Sequence, residues 1–169
     1  MANYNASTIA RIGDLVNGIR VDTSALAAET YFHQNQTEIF NVHGRVRIHL
    51  LFGEVSEAIS NSAATVLYNF TSTTPVIAVQ PLCSASASVA NLAVGERIMW
   101  VGGAVATAAV LTATPGISDI NAAPQIVGTD GGVGTIGIKA EAADCTDGTV
   151  KFSIFYTPVS DGAYIEAAL

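Results

Sequence analysis

From residue 37 onward the chain alternates with a period of two. In FNVHGRVRIHLLFGEV (Phe40–Val55), Val46, Ile48, Leu50 and Phe52 fall on one face of an extended stretch, and Arg45, Arg47 and His49 on the other. Thr65–Phe70 places Val66, Tyr68 and Phe70 together, and a second apolar run, Pro75–Gln80, follows the turn-like STTP. Thr135–Ala142 sets Ile136, Ile138 and Ala140 against Gly137, Lys139 and Glu141. Thr149–Thr157 sets Val150, Phe152, Ile154 and Tyr156 against Lys151, Ser153 and Phe155. Between these last two runs lies DCTDG (Asp144–Gly148), whose Asp-Gly pair predicts a hairpin. About eight to ten short strands at this spacing predict an all-β protein, an antiparallel β-sandwich or jelly-roll-like barrel.

The first thirty residues follow another rule. Ile9, Ile12, Leu15 or Val16, and Ile19 recur at near-helical spacing, with Ser7 or Thr8 available as a cap. Gly13 and Gly18 each cost such a helix about 1 kcal/mol, and a helix this short needs something to pack against. The chain therefore divides into an N-terminal arm or short helix (1–30) and a β-sandwich body (31–169). The arm either covers one end of the sandwich or docks on another subunit.

Composition narrows the function. Only 12% of the residues are charged, and the net charge is −7. An acidic domain is a poor match to nucleic acid, whose phosphates select basic surfaces. Ile98–Ser118 is uncharged over a bilayer-length span, but much of it is Gly, Ala and Thr. Two buried strands joined at Gly102-Gly103 explain it better than a membrane span. The N-terminus has neither a basic start nor a continuous apolar run, so it does not read as a secretory signal. Cys83 and Cys145 belong to no CxxC pair, which disfavours structural zinc and leaves two buried thiols, or a disulfide if the fold juxtaposes them.

The candidate chemistry is thin. GVGTIG matches GxGxxG through Gly132, Gly134 and Gly137, but a strand rather than a helix follows it, so a loop entering a strand is the better reading. Glu54 with Glu57, and Asp144 with Asp147, read as solvated acids at strand ends; TDGG (Thr129–Gly132) offers too few oxygens for calcium. No elbow, zincin or papain-like motif is present, so an enzyme has no positive feature and no cofactor is implied.

His43, Arg45, Arg47 and His49 stand at every second position. On one strand His43 and His49 would lie about 20 Å apart, too far to share a metal, unless Gly44 breaks the register and takes His43 off the face. The outward positions carry no interleaved aromatics for base stacking. The strip is then a polar face that meets either water and carboxylates of its own chain, or a neighbouring subunit.

Two segments resemble small virion proteins of tailed bacteriophages. TEIFNVHGRVRIHLLFGEVSEAI (Thr37–Ile59) is similar to their opening strand and GEV turn, and GTVKFSIFYTPVSDGAYIEAAL (Gly148–Leu169) to their closing aromatic strand and turn. Ala85–Gln125 matches nothing comparable, and His43 and Arg45 replace the small polar residues of that pattern. The resemblance is to capsid decoration, or cement, proteins. It implies a sandwich body, a homotrimer, and a place on the outside of a phage head, with the major capsid protein and itself as partners. Such a protein is made in the host cytoplasm and ends in the virion, with no nucleic acid or membrane partner. Ile9, Arg11, Ile12, Leu15 and Ile19 of the arm, with Arg45, Arg47 and His49, are then the candidate subunit or capsid contacts. Removing about Ala2–Ala28 is expected to abolish capsid binding and leave the body folded. The alternative is a tail or fibre module that recognises a host receptor or glycan, with Tyr31, Trp100 and Tyr164 as candidate contacts.

Overall fold

A computed structural model describes residues 18–60, 63–100, 102, 108–112 and 124–169. Eleven strands and one short helix run through them: β1 (Ile19–Ala27), α1 (Ala28–Tyr31), β2 (Thr37–His43), β3 (Val46–Glu57), β4 (Thr65–Thr74) and β5 (Val76–Pro81), followed by β6 (Arg97–Trp100), β7 (Val110–Thr112), β8 (Gln125–Val127), β9 (Val133–Glu141), β10 (Thr149–Pro158) and β11 (Tyr164–Ala167). They form two antiparallel sheets packed against each other, so the all-β sandwich expected from the alternation is the observed fold. Sheet A runs β1-β10-β3-β6-β7, with β8 paired to the start of β3; sheet B runs β11-β2-β9-β4-β5.

The core lies between the sheets and follows from the alternation. Val66 and Tyr68 of β4, Ile136, Ile138 and Ala140 of β9, and Val150, Phe152, Ile154 and Tyr156 of β10 are all buried. Tyr68 meets Phe152 edge-on at 6.3 Å, and Phe152 lies 5.9 Å from Phe32. Tyr68 and Trp100, among the largest buried side chains, satisfy their polar atoms inside. The Tyr68 hydroxyl donates to the Ile98 carbonyl at 2.9 Å, and the Trp100 indole N–H donates to the Leu82 carbonyl at 3.0 Å. An unpaired group there would cost about 1–3 kcal/mol.

Four expectations change. Residues 19–27 of the expected arm are the edge strand of sheet A, not helix: Ile19 pairs with Tyr156, Ala27 with Thr149, and Leu26 is buried. Its near-helical spacing to Ile9 and Ile12 gave way to a period of two through Ile19, Val21 and Thr23. The second change is in β3. Opposite its Ile48–Leu50 segment, Tyr156 pairs with Ile48 and Phe155 with Leu50, so His49 is the extra residue of a β-bulge. Beyond it the faces exchange. Leu51 and Val55 point to the core, while Leu50 and Phe52, expected inside, lie on the outer face. The third is DCTDG, which is no hairpin: β9 pairs with β2 and β4, β10 with β1 and β3, and the segment crosses between the sheets. Its chemistry serves that crossing. Cys145 is buried with its N–H on the Phe32 carbonyl, and the Asp147 carboxylate accepts from the Ser60 N–H and hydroxyl. The fourth is minor: β6 and β7 do pair, Met99 opposite Val110, but β7 begins well past Gly102-Gly103.

Cys83 and Cys145 are both buried and form no disulfide, and burial raises the Cys83 thiol pKa. No described helix is long and apolar enough to cross a membrane.

Candidate functional site

The basic strip does not stay on one face. Gly44 adopts a φ of +72° and turns the chain from sheet B to sheet A, so His43 closes β2, Arg45 stands in the turn, and Arg47 and His49 belong to β3. The conditional reading applies: the glycine breaks the register and the two histidines part. His43 stacks on Tyr164 of β11 with ring centroids 4.3 Å apart, and its Nε2 lies 3.4 Å from a Glu166 carboxylate oxygen. The His49 ring shares a 2.7 Å hydrogen bond with the Thr157 hydroxyl. Arg45 reaches Asp130 at 3.2 Å, across the loop between β8 and β9. Arg47 is exposed and has no ion-pair partner among the described residues. Of the predicted arm contacts, Ile9, Arg11, Ile12 and Leu15 lie outside the described residues, and Ile19 is half-buried in β1.

What the turn does bring together is three loops. The Gly44 N–H donates to the Gly132 carbonyl at 2.8 Å. The Arg45 N–H donates to the Ser160 hydroxyl at 2.9 Å, and the Arg45 carbonyl accepts from the Val159 and Ser160 N–H groups. The segments Thr37–Ile59 and Gly148–Leu169 meet twice: β3 pairs with β10 in sheet A and β2 with β11 in sheet B.

A second polar surface, not expected from the sequence, covers the outer face of sheet A. Asp22, Ser153, Phe52 and Met99 stand side by side across β1, β10, β3 and β6, and Lys151, Glu54 and Arg97 form the next row. Arg97 grips one Glu54 oxygen through Nε at 2.9 Å and Nη2 at 2.8 Å, and its guanidinium lies over the Phe52 ring, 5.1 Å from the centroid. Asp22 accepts from Arg20 at 2.8 Å and from the Ser153 hydroxyl at 2.6 Å. Burial works against its charge, but those hydrogen bonds and the charges of Arg20 and Lys151 outweigh it and hold the carboxyl below the usual aspartate range. The cations are engaged by carboxylates of the same face, so the face is a cross-strand latch that ties β1 to the sheet. A carboxyl with a lowered folded-state pKa stabilises fully above the unfolded value, about 4, and loses that contribution as pH falls through the folded one. Wild-type protein should therefore exceed Asp22→Asn in urea midpoint at neutral pH, with the difference closing toward acid; a pH-independent difference would remove Asp22 from the latch.

Among the described residues no three His, Cys, Asp or Glu side chains gather as metal ligands do. Trp100 is fully buried and Tyr31 is packed against the core, whereas Tyr164 is exposed beside His43. Of the three aromatics considered for receptor contact, only Tyr164 is thus exposed at the surface. No protein-family model, curated protein or solved structure matches the chain.

Proposed function

We propose that this chain is a structural protein of a tailed-phage particle, a decoration protein that binds the outside of the assembled head as a homotrimer. The observation that best supports the reading is the β5 edge of sheet B, which pairs with no further strand among the described residues. β4 and β5 together carry no charged residue. Val76 is 87% exposed, Ile77 45% and Val79 49%, and Ile126 of β8, across a shallow groove from Ile77, is 48% exposed. Apolar patches of this kind on a chain with few charges mark surfaces that a neighbour covers, and edge strands are normally guarded by charge. A protein that binds only the assembled shell stabilises it by mass action. Sequence resemblance supplies the phage head as the setting, and the exposed apolar edge supplies the need for a protein neighbour.

The test is co-sedimentation of purified protein with empty phage heads that lack it. Binding at a stoichiometry comparable to the shell subunit is expected, with a higher melting temperature of the heads. A few copies per particle would favour the tail or fibre module, and no binding would overturn both the head setting and its partner. In the same assay Arg47→Glu should weaken binding, while leaving the isolated fold within about 0.5 kcal/mol of wild type. Arg45→Glu is less selective, because it sets a second carboxylate beside Asp130. Unchanged binding by Arg47→Glu would make the strip a solvated face.

A further inference from the structure

Sheet B carries a cavity on its outer face, away from the turn cluster and adjoining the apolar groove of β5 and β8 at Pro81. It measures about 390 Å³, within the range of small-molecule sites. Four elements build it: β9 supplies Lys139 and Glu141, β4 supplies Leu67 and Asn69, β5 supplies Val79, and the segment before β2 supplies Gln36.

Two primary amides there are incompletely bonded. Asn69 is 3% exposed, lines the cavity, and makes no side-chain hydrogen bond among the described residues. Gln36 donates its amide to the Thr71 hydroxyl at 3.1 Å, but its carbonyl oxygen is buried without a partner. Gly137 makes that placement possible. A Cβ on this residue would stand 2.6 Å from Gln36 Cγ, so only glycine lets Gln36 lie flat across β9. The buried Gln36 carbonyl oxygen without a partner is a cost to the empty protein that a bonding ligand removes, and the Asn69 amide has donor and acceptor capacity free for that ligand. The charges in the cavity cancel: Lys139 Nζ lies 3.5 Å from a Glu141 oxygen. Leu67 and Val79 add apolar wall.

We infer that this cavity is a binding site for a neutral saccharide. The chemistry is selective. A sugar offers hydroxyls that donate to the Gln36 carbonyl and both donate to and accept from the Asn69 amide, and a C–H face for Leu67 and Val79. The neutralised Lys139–Glu141 pair gives no attraction to an anionic or cationic ligand. This site does not depend on the chain's being a decoration protein and would serve either virion setting.

The experiment is an NMR titration of the ¹⁵N-labelled full chain. The probes are galactose, glucose, N-acetylglucosamine and lactose, with sialyllactose as an anionic comparator and the peptide Gly-Ala-Ser as a neutral non-sugar. Saturable shifts of the Asn69 and Gln36 side-chain amides with at least one neutral sugar are expected. No saturation below about 50 mM, a weak-binding ceiling, or a response to sialyllactose or the peptide alone, would overturn the site. Asn69→Leu should bind the responding sugar about tenfold more weakly, the loss of one well-placed hydrogen bond, and melt at or above the wild-type temperature. A structural role for Asn69 would lower the melting temperature and leave affinity unchanged. Gln36→Met, at a less buried position, should weaken binding similarly, and wild-type affinity in that variant would also overturn the proposal.

Discussion

Gly128→Ala should lose more than about 4 kcal/mol of folding stability, enough to leave a domain of ordinary stability largely unfolded at 37 °C. Two independent terms add. The residue has a φ of +83°, where a side chain costs about 1–2 kcal/mol. A Cβ there would also collide with the Gly44 carbonyl oxygen, and Gly44 is itself at φ +72° in the turn that carries the chain between the sheets. Neither backbone can retreat. Gly44 has its N–H on Gly132 and little room on its other side, where a Cβ would stand 2.9 Å from the Ala163 Cβ. Gly131→Ala separates the terms, since Gly131 has a φ of +67° and open space around it. That variant should lose only the conformational cost. Urea denaturation of the two variants decides the matter, and equal losses would mean that the packing of the three loops contributes nothing.

The same loops explain how far the sequence could be read. β4, β9 and β10 were legible because their larger apolar residues recur at every second position. Val66 and Tyr68, Ile136 and Ile138, and Phe152 and Ile154 of those sets lie in the core. The bulge at His49 left no mark. Leu50, Leu51 and Phe52 are all apolar, so the exchange of faces within them does not disturb the pattern. DCTDG carries true turn chemistry, but turn chemistry is local and does not name the sheet in which the next strand will pair. The basic strip was read as the outer face of one strand, with a break at Gly44 only as the exception, and the structure takes the exception. The sheet A latch was out of reach, because a cross-strand pair such as Glu54 and Arg97 exists only once β3 and β6 are neighbours. The sheet B cavity left a trace after all. Gly137, part of a motif set aside as a loop entering a strand, is the glycine over which Gln36 lies.

Truncation at two points separates the arm from the body. Deleting residues 2–17 should leave a folded protein, because it ends before β1 begins at Ile19. Deleting residues 2–28, the cut expected from the sequence to leave the body folded, should instead remove most of the folding stability. It strips β1 from β10 along a ladder from Ile19–Tyr156 to Ala27–Thr149. It also takes away the buried side chains of Leu26 and Ala28, and full burial of a Leu alone is worth about 1.5–3 kcal/mol. Thr23 goes with them, leaving the buried Phe152 N–H without its hydroxyl acceptor at 3.1 Å, a further penalty of about 1–3 kcal/mol. The Arg20 and Asp22 end of the latch is lost as well, and β10, a central strand, becomes an unprotected edge. Against a typical total of about 5–15 kcal/mol these losses are decisive, and circular dichroism with urea titration should register them as a missing cooperative transition. The shorter deletion carries the functional information. If Ile9, Arg11, Ile12 and Leu15 fasten the protein to the phage head, the chain lacking residues 2–17 folds but no longer co-sediments with heads. Full binding by that folded chain would sink the arm and move the contact to the body, where the apolar edge of β5 is the surface to mutate next.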